Sequence, residues 1–129
     1  MAAGKLTTHV LDTVKGGPAA GLTVELWQMP HVHDLPTAPP LASPLLIKTV
    51  VTNIDGRTEK PLLVNDSMAV GIYELRFAVG SYFATQEQEV PNPPFLDIVP
   101  IRFGLADVAA HYHVPLLCSP WSYSTYRGS

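Results

Sequence analysis

The sequence predicts an all-β domain, a sandwich of two sheets of antiparallel strands with one short helix. Thirteen prolines and nine glycines interrupt short runs that are rich in β-branched and aromatic residues, a pattern typical of many strands joined by turns. About eight such runs follow one another at short spacing. In most of them polar and apolar residues alternate, as they do in a strand with one buried face. Together these observations indicate a two-sheet sandwich.

Size and charge limit the classes of function. The chain has 129 residues, which suits a single domain spanning residues 1–129. Its composition is 47% hydrophobic and 15% charged, as in a globular protein, and the net charge of −3 gives no electrostatic argument for nucleic acid or an anionic membrane as partner. No apolar run approaches the roughly 20 residues of a membrane helix. The N-terminus shows no signal peptide and Cys118 is the only cysteine, so we expect a cytoplasmic protein.

The segments before the C-terminal region divide into strands and turns. We predict strands at residues 6–12, 22–28, 45–52, 58–62, 71–79 and 97–103. Residues 29–44 contain five prolines and predict a long surface loop. Asn53-Ile54-Asp55-Gly56 predicts a turn, and Arg57 follows it directly. Residues 80–88 could hold one short helix.

The C-terminal region, residues 111–129, predicts two further strands joined at Ser119-Pro120. Successive side chains of a strand point to opposite faces. The first of these strands therefore has two different faces. The polar face carries His111, His113, Pro115 and Leu117. The core face carries Tyr112, Val114, Leu116 and Cys118. In the second strand Tyr126 shares a face with two serines. A face of this composition is either solvated or the wall of a cleft.

Histidines and one arginine are the candidate catalytic residues. His9, His111 and His113 are each ordinary when taken singly, because strand histidines are often half-exposed, and Arg57 after a turn is usually solvated. Together they would form a useful set. An imidazole can act as a base near neutral pH, and a guanidinium can bind a planar anion through two parallel hydrogen bonds. The residues alone do not show that these groups meet in space.

The sequence gives little support to two other chemistries, a metal site and a serine triad. The motif His31-Val32-His33-Asp34 places two imidazoles on one side of an extended segment. A metal site needs three or four ligands, so these histidines are better interpreted as residues of a surface loop without a bound metal. A Ser-His-Asp triad is available by composition only, without the sharp turn that exposes the serine. We therefore predict no metal site.

Five motifs of the sequence are distinctive: TTHVLD at 7–12, GPA at 17–19, TNIDGR at 52–57, HYHVPLL at 111–117 and SPWSYSTYRGS at 119–129. They resemble those of the 5-hydroxyisourate hydrolases, the transthyretin-related enzymes of urate breakdown. The resemblance covers nearly the whole chain, and its closing Tyr-Arg-Gly-Ser is highly specific. Transthyretin itself shares the fold and the Ser-Pro-aromatic-Ser-Tyr-Ser-Thr run, but it lacks the histidine pair and this ending. Two departures from the common pattern are Cys118 in place of leucine and the proline-rich residues 29–44.

The resemblance implies a fold, an assembly and a reaction. The fold would be a transthyretin-like sandwich of two four-stranded antiparallel sheets with one short helix, assembled as a homotetramer with active sites at the dimer–dimer interface. The reaction would be hydrolysis of the cyclic amide of 5-hydroxyisourate, which requires no cofactor. The alternative function is a transthyretin-like carrier that binds an aromatic small molecule in the tetramer channel.

The resemblance also assigns site residues. His9, Arg57, His113 and Ser129 would be catalytic, and His9, Arg57 and Tyr126 would bind the substrate. The histidines would form an acid/base pair, with the order of their roles open. Arg57 would bind and polarise the carbonyl edge of the substrate, and the two tail residues would orient substrate or water.

Overall fold

The computed structural model describes residues 4–30 and 43–129, which form two β-sheets packed face to face. In chain order the described elements are β1 (Lys5–Asp12), β2 (Gly17–Pro18), β3 (Thr23–Met29), β4 (Leu45–Val51), β5 (Leu63–Val64), a 3₁₀ turn (Asn65–Ser67), β6 (Gly71–Ala78), α1 (Val79–Ala84), β7 (Ile98–Leu105), β8 (His111–Cys118) and β9 (Tyr123–Thr125). No helix among these residues is long and apolar enough to cross a membrane.

The sheet order confirms the predicted sandwich. One sheet runs β2-β1-β8-β9, with the short β5 added beside β1, and the other runs β4-β3-β6-β7. The prediction of purely antiparallel sheets is wrong for one pair, because β1 and β8 are parallel. These two strands are separated in sequence by the whole second sheet. No hairpin turn therefore joins them, and a parallel pair needs a long connection of this kind.

The individual elements follow the sequence with one clear exception. The predicted strand at 58–62 is wrong, and the chain joins the sheet only from residue 62 onward. Pro61 has no N–H to donate, and the first backbone bond to β1 is donated by Leu62 to the carbonyl of Leu6, at 2.8 Å. The helix prediction at 80–88 is confirmed in a shorter form as α1. Most of the loop predicted at 29–44, including the motif 31–34, lies outside the described residues.

Strand alternation places the core where the sequence predicts it. On β1 the side chains of Leu6, Thr8 and Val10 are at most 1% exposed, and on β8 the four predicted core residues, Cys118 among them, are at most 7% exposed. These side chains face the buried side of the other sheet, which contributes Phe77 and other apolar residues to the core. Burial of side chains of this size is the main stabilising contribution, about 1.5–3 kcal/mol for each large apolar residue. The opposite face of β1 and β8 is thereby left for polar side chains.

Candidate active site

The parallel pairing of β1 and β8 collects the histidines on the outward face of the first sheet. Thr7 lies directly opposite His113, and His9 lies opposite Pro115. All three polar side chains are half-buried, whereas His111, two residues before His113 at the start of β8, is exposed. Side chains opposite one another on a face are near neighbours in any sheet. The structure therefore brings His9 and His113, two of the predicted site residues, onto one surface.

Thr7 connects two imidazoles of this face. Its Oγ1 lies 2.8 Å from Nε2 of His111 and 2.8 Å from Nδ1 of His113. The centroids of the two rings are 6.1 Å apart. Thr7 was missing from the predicted site. Strand alternation already put it on the same face as His9, but its place between two histidines follows from the parallel register, which the sequence does not reveal.

A tight turn brings Arg57 to the same face. The carboxamide oxygen of Asn53 accepts hydrogen bonds from the backbone N–H groups of Asp55 (2.9 Å) and Arg57 (3.2 Å). Gly56 has a positive φ of 72°, and its carbonyl accepts a bond from the N–H of Val10 at 2.8 Å. A Cβ at Gly56 would lie 2.4 Å from the carbonyl oxygen of Val10, so only glycine permits this approach. The turn is thus fixed against β1, next to His9.

The C-terminal tail closes over His113. The N–H of Gly128 donates to the carbonyl of His113 at 2.8 Å, and a Cβ at Gly128 would lie 2.5 Å from Cδ2 of that imidazole. Gly128 therefore packs directly on the ring, and Ser129 follows it in the chain. The predicted tail residue Ser129 is exposed and lies within one residue of this contact.

Within one chain, Tyr126 belongs to a different surface. It is 60% exposed and borders a groove of about 400 Å³ that is also lined by Tyr112 and Val114, residues of the core-facing side of β8. Arg127 lies on this side too, with its Cζ 4.3 Å from the centre of the Tyr112 ring, a cation–π contact. The structure thus separates Tyr126 and Arg127 from the histidine face, while Gly128 returns to it.

The surroundings of the histidines favour their neutral forms. Burial lowers the pKa of His113, and the positive charges of Arg57, His111 and His9 lower it further. Burial and Arg57 also lower the pKa of His9, an effect that the backbone and carboxylate of Asp55 partly offset. Both imidazoles are therefore unprotonated at neutral pH, since the unperturbed value is already near 6.5.

The arrangement suits hydrolysis. A neutral imidazole can remove a proton from water, and the hydrogen bonds of the described residues leave Nε2 of His113 free for this purpose. A nearby guanidinium can stabilise negative charge that develops on a carbonyl oxygen. Within residues 4–30 and 43–129 no group of three or more His, Cys, Asp or Glu side chains is arranged to hold a metal ion. The motif of His31 and His33 lies outside these ranges.

Comparisons with known proteins agree with the fold and the motifs. The model of the HIUase/Transthyretin family matches residues 6–128. A 5-hydroxyisourate hydrolase of Ralstonia nicotianae is 54% identical over 126 residues, covering 98% of this chain and 99% of the relative.

Solved structures show the same relationship. The crystal structure of an (S)-allantoin synthase superposes with a TM-score of 0.86 at 45% identity over 99% of this chain, which spans 44% of the length of that protein. Transthyretin from Sparus aurata superposes with a TM-score of 0.78 at 27% identity, over 96% of both chains. The recognised motifs, the two-sheet sandwich and the family match all agree. The chain belongs to the HIUase/transthyretin family.

Proposed function

We propose that this chain is a hydroxyisourate hydrolase, which opens the six-membered ring of 5-hydroxyisourate by hydrolysing its cyclic amide. The product is 2-oxo-4-hydroxy-4-carboxy-5-ureidoimidazoline, and the reaction belongs to urate degradation. The observation that carries the proposal is the shared face of β1 and β8, which holds both His9 and His113. Burial and the charge of Arg57 lower the pKa values of these two imidazoles. The 54% identity to a relative named as this hydrolase supports the same substrate.

His113 and His9 form the acid/base pair of the proposed mechanism. A neutral imidazole takes a proton from water as the water oxygen adds to the amide carbonyl, and the resulting imidazolium, directly or through the other histidine, protonates the ring nitrogen as the C–N bond breaks. The carboxylic acid that forms releases its remaining proton to solvent and becomes a carboxylate. The lowered pKa values keep both rings available as bases at neutral pH.

Arg57 acts on the carbonyl edge of the substrate. Its positive charge contributes to the lowered pKa values of both imidazoles. In this proposal its N–H groups contact the substrate that lies on the rings. A fork of parallel donors matches a planar ring with adjacent carbonyl oxygens. The charge also stabilises the oxyanion that forms when water adds.

The tail completes the site. Gly128 packs on the His113 ring. In this proposal Ser129, the next residue, lies at the edge of that ring, and its hydroxyl orients water or substrate. Tyr126 also binds substrate in this proposal, but within one chain it lies on the other side of β8. The site would then gain Tyr126 from another subunit or from a movement of the tail.

We propose a homotetramer whose interface covers the histidine face. Leu11 and Leu117 lie opposite each other on that face, half-buried among polar residues. At the edges of the sandwich Phe95 is 69% and Trp121 57% exposed, and their rings lie 6.0 Å apart. Surfaces of this kind mark contacts between proteins. A fully active monomer of 14.0 kDa by light scattering would contradict the assembly. A cytoplasmic location remains a prediction.

A spectrophotometric assay tests the function. Urate oxidase converts urate to 5-hydroxyisourate, and the ultraviolet absorbance of that product is followed with and without this protein. Accelerated decay supports the hydrolase. Absence of acceleration, combined with saturable binding of iodinated phenols, would instead support a transthyretin-like carrier.

A further inference from the structure

Thr7 and His111 are polar side chains of the histidine face that have no role in the proposed mechanism. The Thr7 hydroxyl is 2.8 Å from Nε2 of His111 and 2.8 Å from Nδ1 of His113. The first ring is exposed and the second is half-buried beneath Gly128. The three groups therefore form a continuous hydrogen-bonded chain from the protein surface to the proposed base.

The single hydrogen of the Thr7 hydroxyl makes this chain directional. A hydroxyl has one O–H to donate, and a neutral imidazole has one nitrogen that donates and one that accepts. If Thr7 donates to His111, it must accept from Nδ1–H of His113, and Nε2 of His113 then holds a lone pair. If Thr7 donates to His113 instead, Nε2 of His113 carries the hydrogen and cannot act as a base.

We propose that Thr7 and His111 are positioning residues that hold His113 in the Nδ1–H tautomer, so that its Nε2 is the general base. This inference rests on the proposed function and deepens it. The half-buried ring needs its Nδ1–H satisfied, and the Thr7 oxygen does so. Nε2 of the exposed His111 ring accepts the hydrogen of the Thr7 hydroxyl, so Thr7 does not donate that hydrogen to His113. A partner that fixes the tautomer of an imidazole is a recurrent requirement of histidine catalysis.

The same chain makes the base sensitive to the charge of His111. A protonated His111 donates from Nε2 to the Thr7 oxygen, which frees the Thr7 hydrogen to donate to Nδ1 of His113 and disables the base. His111 faces Lys5 on β1, and His113 faces His9, His111 and Arg57. Burial lowers the pKa of both histidines and these positive neighbours lower it further, so His111 is mostly neutral at pH 7, the form that can accept the hydrogen of Thr7.

Nitrogen NMR of the free protein tests the tautomer without any turnover. In ¹⁵N-labelled wild-type protein at neutral pH, we expect the His113 signals of a ring protonated at Nδ1. A wild-type His113 protonated at Nε2 overturns the inference even if the enzyme is fully active. An inactive protein with the expected tautomer would count against the proposed function and leave the tautomer assignment standing.

Variants separate positioning from structure. Thr7→Val removes the hydroxyl at nearly constant shape and should lower kcat about 10- to 100-fold with little change in KM, the range typical for partners that orient an imidazole. Thr7→Ser keeps the hydroxyl and should retain most of kcat. Thr49→Val, on exposed β4 of the other sheet, is the matched control and should leave kcat unchanged.

The double variant tests whether Thr7 and His111 act together. His111→Phe removes the acceptor and should lower kcat to a similar extent, and it should convert the His113 signals to the Nε2–H form. Since both changes break one chain, Thr7→Val with His111→Phe should cost no more than either change alone. Fully additive losses, or a Thr7→Ser variant as slow as Thr7→Val, would overturn the inference.

Discussion

Replacement of Gly128 by alanine tests whether the tail is held on the base. A Cβ at this position would lie 2.5 Å from Cδ2 of His113, whereas ordinary van der Waals contact begins at 3.4 Å. The tail or the ring must therefore move by about 0.9 Å to restore an ordinary van der Waals distance. If the tail makes this movement, the bond from the Gly128 N–H to the His113 carbonyl, now 2.8 Å, lengthens beyond hydrogen-bonding range.

The expected loss follows from that bond. A backbone hydrogen bond has a net worth of about 0.5–1.5 kcal/mol, so its loss lowers the ratio of docked to undocked tail about two- to tenfold. We expect kcat/KM for 5-hydroxyisourate to fall by up to about the same factor. The free energy of unfolding should change little, because residues 121–127 and 129 are exposed and the tail contributes nothing to the core.

The assay pairs Gly128→Ala with a glycine in open space. Gly17 has no atom within 4 Å of a Cβ and its φ is not in the left-handed region, so Gly17→Ala should keep full activity. Both variants are compared by the decay of 5-hydroxyisourate and by urea denaturation. A Gly128→Ala enzyme as active as wild type, with its tail still docked, would refute the idea that this contact orders the site.

Further predictions concern the base, the guanidinium and the core. His113→Asn should lower kcat about 10²- to 10⁴-fold, the usual worth of acid–base catalysis. The wild-type pH profile should fall in acid with an inflection below 6.5, because the pKa of His113 is lowered; an unchanged profile in His113→Asn would contradict this. Arg57→Lys should raise KM by losing the planar fork, as substrate titrations would reveal. Tyr82→Phe should lower the free energy of unfolding by about 1–3 kcal/mol, because the buried carboxylate of Asp12 loses its 2.7 Å hydrogen bond from the Tyr82 hydroxyl. An unchanged midpoint of urea denaturation would refute this stabilising role of Tyr82.

Alternation within strands could be predicted from the sequence, but pairing between strands could not. The faces of β1 and β8 follow from a period of two, and burial confirms them at every position except Pro115, which is buried although it lies on the polar face. Which strands are neighbours depends on tertiary packing, and the parallel β1–β8 pair has no local signal. For this reason His9 and His113 were predicted on outward faces, while the position of Thr7 between His111 and His113 was missed.

Close contacts between segments that are distant in the chain could not be predicted from the sequence either. Gly56 predicts a turn, but its approach to Val10, which brings Arg57 to His9, depends on how the turn docks on β1. The tail motif is specific enough to identify the family. The path of the tail could not be predicted in the same way. Gly128 lies on one side of β8 and Tyr126 on the other, because this short segment is irregular and does not follow the alternation of a strand.

The most direct test of the proposed site compares wild type with the double variant His9→Asn/His113→Asn in the decay of 5-hydroxyisourate. Circular dichroism and light scattering first establish that the variant keeps the fold and assembly of the wild type. We predict that wild type accelerates the decay at catalytic concentration and that the double variant leaves it at the uncatalysed rate. A folded double variant that hydrolyses 5-hydroxyisourate as fast as wild type would contradict the assignment of the histidine face as the catalytic site.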